Sequence, residues 1–346
     1  MTVLIVAEED DHAGVDVGQA VSDLGLDHVR LSVADFPQRL TVSAQIGIRD
    51  GPPWRLGSKQ DSWTGVIEGD DSIVEIADIV GVYYRATAAF DLPEGMSGPE
   101  HRFAYLQALH GFGGMLESLP VSWVNSPMAV ARAEYKPLQL VAATHCGFDV
   151  PATLLTNNAA AVRSFVARRE SSDSQSANSE AIVVKPLVGS HVQEGAGYTA
   201  AWCRKVPDLA GEALLNVDVT MHQFQRWIEP QYAVRLTAVG EEVFPVAIHA
   251  HSAAARVDWR SDYDRLTYER IRAPARVHRS VRCYLGRLGL SYGAFDFIVD
   301  EEDRWWFLEC NPAGQWGWIA EEADLPVAHA LARVLTSAPR TDRVQS

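Results

Sequence analysis

Residues 293–319 read GAFDFIVDEEDRWWFLECNPAGQWGWI, two apolar-rich runs, Ala294 to Asp300 and Trp305 to Cys310, separated by the charged stretch Glu301 to Arg304. The pattern predicts an antiparallel hairpin. A four-residue turn pairing Asp300 with Trp305 sets Asp296 opposite Glu309. Side chains alternate along a strand, so Asn311 shares the face of Glu309. Carboxylates directly opposite have Cβ atoms about 4.5–5.5 Å apart and repel each other, which makes the pairing unfavourable without a cation. An all-oxygen set suits magnesium, completed by water and phosphate, better than a metal that prefers His and Cys. The competing reading is two ordinary solvent-facing strand residues. Against it, Phe295, Phe297, Trp306 and Leu308 make the other face apolar, and Cys310-Asn-Pro-Ala-Gly314 ends the strand abruptly.

Working outward, three cations attract attention. Lys185 closes the apolar run AIVVK just before the glycine-bearing loop 186–197. An ammonium and backbone N–H groups could together hold phosphate oxygens there, although a lysine at a strand end is otherwise simply solvated. Ser126-Pro127 supplies an N-cap and a first-turn proline, and Pro137 interrupts the helix they start. Lys136 therefore falls at a helix–helix junction, with Gly147 ending the second piece. Arg235 sits in a hairpin running from Tyr232 to His251 about Gly240-Glu-Glu242. Its alternative reading is a structural ion pair.

The rest of the chain frames these segments. Val3 to Ala7 is a continuous apolar run suited to a parallel strand buried on both faces, followed by helical spacing from Val15 to Leu24. The intervening EEDDHAG lacks GxGxxG glycines, which argues against dinucleotide binding at that corner. A strand around Ile79 to Tyr84 and a helical stretch from about Glu100 to Leu119 complete a Rossmann-like unit. Strands near Pro151 to Thr156 and Ala181 to Lys185 flank the polar tract 170–180, read as a solvated loop. Helical patterns at Val277 to Leu288 and Leu325 to Leu335 bracket the hairpin. The order is α/β followed by α+β.

With 346 residues, 47% hydrophobic and 22% charged, the chain can bury a large core divided into subdomains. A net charge of -15 without a basic stripe speaks against nucleic acid. Cys146, Cys203, Cys283 and Cys310 are scattered without a CxxC pair, so neither a disulfide scaffold nor a Cys-rich zinc site is expected. Reduced cysteines, no basic leader and no long apolar run lead to the expectation of a cytoplasmic protein that does not enter a membrane.

These segments resemble the ATP-grasp superfamily and, more closely, its ribosomal peptide maturases, the graspetide or microviridin-type macrocyclases. Besides residues 293–319, the resemblance is carried by NSPMAVARAEYKPLQLVAATHCGFDVPATLLTN (125–157), AIVVKPLVGS (181–190), FQRWIEPQYAVRLTAVGEEVFPVAIHAHS (224–252), ARVDWR (255–260) and VYYRA (82–86). It implies an ATP-grasp fold with an N-terminal domain (1–125), a central lid (126–220), a C-terminal catalytic part (221–338) and a tail (339–346). Lys136 and Lys185 would then contact nucleotide phosphates, and Gln225, Trp227 and Ile228 the adenine side. Arg235 would stabilise acyl-phosphate formation, and Asp296, Glu309 and Asn311 would hold magnesium, with two ions expected. Arg85, Asp258 and Arg260 would meet the peptide, with Asp258 or His251 a candidate general base. This chain departs from the family in having Ala233 and Arg226 where acidic residues are usual, and Ala86 after Arg85.

The activity implied is ATP-dependent activation of Glu or Asp side chains in a ribosomal precursor peptide, leader plus core. Attack by Thr or Ser hydroxyls, or by Lys amines, would close lactone or lactam rings. Homodimers are part of the resemblance. The alternatives are an intermolecular amino-acid ligase, told apart because ligation adds a residue where cyclisation removes water, and a catalytically inactive leader-binding module.

Overall fold

The structure is a computed structural model, and it describes residues 1–47, 62–70, 72–85, 88–168, 181–188, 191–194, 197–200, 202–207, 214 and 216–337. The tract 170–180, the tail 339–346, Ala86 and parts of the 186–197 loop lie outside these residues.

The N-terminal unit is a parallel sheet in the order Asp27–Leu31, Thr2–Val6, Ile79–Tyr84, Ser122–Val124. Thr2–Val6 is apolar because both faces are covered, as expected for a central parallel strand. The first helix runs His12–Asp23, starting earlier than its apolar spacing suggests because Asp11 caps it, its carboxylate accepting from Gly14 N–H at 3.1 Å. The 98–117 stretch is helical as expected. Ser97 and Glu100 form a capping box, and a π-turn interrupts it at Leu109–Gly113. A three-stranded meander, Thr41–Gln45, Thr64–Gly69 and Ser72–Glu75, was not anticipated.

The central sheet orders Arg204–Lys205, Ile182–Lys185, His222–Arg226 and Thr153–Thr156, all pairings antiparallel, with helix Ala159–Ala167 on one face. The C-terminal sheet orders Leu266–Arg270, Glu242–Ala250, Tyr232–Val239, Tyr292–Val299 and Trp305–Asn311, again antiparallel throughout. Helices Lys136–His145 and Ala275–Leu288 cover one face, against Val234, Leu236, Phe295, Phe297 and Phe307. The last helix, Val327–Thr336, crosses back onto the N-terminal sheet. Gly81 permits this approach, since a Cβ there would lie 2.2 Å from the Leu335 carbonyl oxygen. No helix among the described residues is long and apolar enough to cross a membrane.

Two expectations are corrected. Cys146 and Cys283 form a disulfide, with Cα atoms 5.6 Å apart and positions 137 apart in sequence. Cys203 and Cys310 are free. Spacing could not reveal the pair, because it exists only where the lysine helix packs against Ala275–Leu288. In the hairpin, Val299 rather than Asp300 pairs with Trp305. The Asp300 carboxylate turns inward, accepting from the N–H groups of Glu302 (3.1 Å) and Arg304 (2.9 Å) and from Trp306 Nε1 (2.7 Å). That pulls Asp300 out of the strand and into the turn. A bulge at Leu308 then restores the register, so Asp296 still faces Glu309. The expected apolar face changes accordingly: Phe307 and Cys310 are buried with Phe295 and Phe297, whereas Trp306 and Leu308 are only partly buried.

Candidate active site

Alternation in the C-terminal sheet sends Arg235, Asp296, Glu309 and Asn311 to the face away from its aromatic core. Register places Arg235 beside Asp296 and Asp296 beside Glu309, with Asn311 across from Ala294. A cavity of about 890 Å³ opens over this face. Lys136, Lys185, Gln225, Trp227, Ile228, His251, Asp258 and Arg260 line it along with the four sheet residues. Every site candidate except Arg85 therefore shares one cavity.

Asp296 is 3% exposed, so the solvent-facing reading fails for it. It accepts from Arg235 Nη1 at 2.9 and 3.1 Å, a buried ion pair, and also from Arg260 Nη2. Glu309 accepts from Lys136 Nζ at 2.6 Å and Arg260 Nη2 at 2.9 Å. The Asn311 amide lies 3.4 and 3.5 Å from the two carboxylates. A cation does stand between Asp296 and Glu309, and it is the Arg260 guanidinium. Burial alone would raise the Glu309 carboxyl, but Lys136 and Arg260 outweigh it and hold the group far below the usual carboxylate range.

Arg260 arrives on a segment of short helical turns, Ala253–Val257, Trp259–Ser261 and Tyr263–Arg265. Trp259 anchors it, 8% exposed and packed on Trp318 with ring centroids 5.4 Å apart. Arg260 covers the Trp259 ring at 4.6 Å and bonds Asp258 at 3.4 Å. Asp258 also accepts from the Cys203 N–H at 3.3 Å, and burial pushes the Cys203 thiol up to about 11.

The departures find structural accounts. Arg226 donates to the carbonyls of Phe165, Val166 and Arg168, closing the end of helix Ala159–Ala167. Arg235 takes its partner from the next strand, Asp296, instead of an acid at position 233. Arg85 lies outside the cavity wall, bonded to Asp11 at 3.1 Å and to Gln315 at 2.8 Å, while the Gln315 carbonyl accepts from Arg235 at 3.2 Å. Gly314 makes room for this, since a Cβ would lie 3.0 Å from Arg235 Nη2.

Sequence reasoning passed over two amides. Asn125 donates to the carbonyls of Tyr292 (2.8 Å) and Pro312 (2.7 Å), and Gln139 bonds both backbone groups of Cys310. Both lie inside the quoted 125–157 segment, but nothing in their spacing told them from surface amides. Donors and acceptors also wait in the cavity wall: Arg235 Nε and Gln223 Oε1 are buried without a partner among the described residues.

No family model matches the sequence, and no curated protein does. Solved structures do. A RiPP-associated ATP-grasp ligase of Chryseobacterium gregarium, in complex with ADP and a leader and core peptide, has a TM-score of 0.81 to this chain, covering 96% of each at 24% identity. Macrocyclase MdnC of Microcystis aeruginosa MRC, bound with precursor peptide MdnA, has a TM-score of 0.75 at 25% identity, over 97% of this chain and 99% of its own. The chain has the ATP-grasp fold. The ATP-grasp ligase PsnB, complexed with a phosphomimetic variant of a minimal precursor, Mg and ADP, matches at a TM-score of 0.70 and 20% identity, over 96% of this chain and 97% of its own. In this ATP-grasp chain the cavity lies between the central and C-terminal sheets, with Lys185 and Gln225 on one wall and Asp296 and Glu309 on the other.

Proposed function

We propose that this ATP-grasp chain is an ATP-dependent ligase that activates side-chain carboxylates of a ribosomal precursor peptide and closes them onto hydroxyl or amine side chains of the same peptide. One observation carries the reading. Two lysines, two arginines and a carboxylate–carboxylate–amide row converge in a single cavity on a fold shared with peptide-bound ligases.

A carboxylate resists nucleophiles until its oxygen becomes part of a leaving group, which ATP supplies by phosphorylating it. Lys136 and Lys185 neutralise the phosphate oxygens, and the carbonyl of Trp227 with the backbone of Ile228 meets the adenine. The Trp227 N–H is already given to Ala181 at 3.0 Å. Arg235, whose Nε has no partner among the described residues, holds the acyl phosphate while a nucleophile attacks and phosphate departs. Asp296, Glu309 and Asn311 form a hard-oxygen donor set that fits magnesium, and two ions belong to this reading. Magnesium bound there supplies positive charge to the phosphates. Asp258 and Arg260 are best placed to meet the peptide once Arg260 leaves the carboxylates, with Asp258 or His251 taking the proton. Arg85 acts on the cavity through Gln315.

The division at about residues 125 and 220, a cytoplasmic setting where ATP is available, a homodimer and the absence of nucleic-acid partners complete the proposal. The test is to look beside the coding sequence for a short reading frame rich in Thr or Ser and Glu or Asp, and to incubate the protein with MgATP and the peptide it encodes. ADP should form only with peptide present, and the peptide should lose one water per ring. A gain of a residue would instead identify an intermolecular ligase, and peptide binding without ADP an inactive module.

A further inference from the structure

Gln139 is 1% exposed and lies one helical turn beyond Lys136. The strand it touches, Trp305–Asn311, is the last in its sheet. On an edge strand alternate residues turn their backbone N–H and carbonyl away from the neighbouring strand, where no ladder partner exists. Cys310, between Glu309 and Asn311, is met there by a side chain. Its N–H donates to Gln139 Oε1 at 3.0 Å, and its carbonyl accepts from Gln139 Nε2 at 2.7 Å. These are the two bonds a further strand would have made. Nε2 also donates to the Ala133 carbonyl at 2.7 Å, so both amide hydrogens are used.

We propose that Gln139 is a positioning residue for the magnesium–phosphate site: by clamping Cys310 it sets Glu309 and Asn311 at a fixed distance from Lys136. The proposal rests on the ligase reading above. Lys136 and Gln139, three apart, share one face of their helix. Lys136 reaches Glu309 at 2.6 Å from that face, and Gln139 holds the next residue of the same strand. A helix free to slide along the strand would change the ammonium–carboxylate spacing, and the paired amide bonds oppose sliding. The outer supports of metal ligands are worth roughly ten- to hundredfold in metal affinity.

The test uses Gln139→Met, which keeps the side chain's length and removes all three hydrogen bonds. ADP is titrated calorimetrically into the full chain over a series of magnesium concentrations and in EDTA. The magnesium concentration needed to tighten ADP binding should rise roughly ten- to hundredfold, with binding in EDTA unchanged. Val281→Ala, a cavity in the same core, should lower the melting temperature and leave magnesium dependence alone. If Gln139→Met does not fold, Gln139→Asn, which keeps the amide but falls one methylene short, should show the same displacement in smaller degree. A folded Gln139 variant with wild-type magnesium dependence overturns the proposal alone. Wild-type protein that binds ADP identically with and without magnesium overturns the ligase reading as well.

Discussion

The two sides of the cavity are built in different ways. On one side the hairpin of Tyr292–Val299 and Trp305–Asn311 is locked by ladder bonds, an aromatic core and the amides of Asn125 and Gln139. On the other, the segment carrying Asp258 and Arg260 is short helical turns resting on an aromatic cluster of Trp259, Tyr263 and Trp318. The hairpin can hold ligands at fixed spacing. The segment can yield, and the guanidinium it places between the carboxylates is the group that must leave when another cation enters. Rigid donors facing a displaceable charge is the lesson of the contrast.

The largest effect should come from breaking the rigid side at its charge. Glu309→Gln should lower peptide-dependent ADP formation by roughly two to three orders of magnitude, with an unchanged circular dichroism spectrum. Unaltered turnover would remove Glu309 from the site. Next, Arg235→Met strips Asp296 of its fully buried partner and leaves it the Arg260 guanidinium alone, and denaturant unfolding should show a loss of up to about 3 kcal/mol, because removing one partner of a buried ion pair is costly. The yielding side should respond in the opposite sense. Arg260→Gln removes the resident cation, so manganese binding followed by electron paramagnetic resonance should tighten without nucleotide, by roughly tenfold for about 1.4 kcal/mol of lost competition.

Acid should give the smallest effect. The Glu309 carboxyl is lowered from a usual value near 4.5, so its stabilisation is complete above that pH and fades as pH falls below it. Melting temperatures of the wild type should therefore drop more steeply than those of Glu309→Gln on acidification below about pH 4.5. Parallel curves would show that Lys136 and Arg260 do not hold the carboxyl.

Much of this was legible in the chain. The strand ending at Lys185, the break before Lys136 and the Tyr232–Val239 strand with Arg235 at its centre all lie where periodicity and proline placed them. The Asp296–Glu309 pairing was reached through a turn one residue too short, and the bulge at Leu308 cancelled the error. Local pattern could not show that, because Trp305 to Leu308 is apolar at every position, so neither the longer turn nor the bulge leaves a visible break in its alternation. The Cys146–Cys283 pair and the Gln139–Cys310 clamp were illegible for a different reason: each joins residues more than 130 positions apart in sequence.

The sequence by itself determined the alternation that puts Glu309 and Asn311 on one face of their strand and turns Arg235 and Asp296 away from the apolar residues on either side of them. These follow from local stereochemistry, repeated every two residues in a strand. Tertiary structure decided which cation stands between the carboxylates. Charge neutralisation needs a partner within a few ångströms, and only folding brings Arg260, 36 residues from Asp296 and 49 from Glu309, into that space.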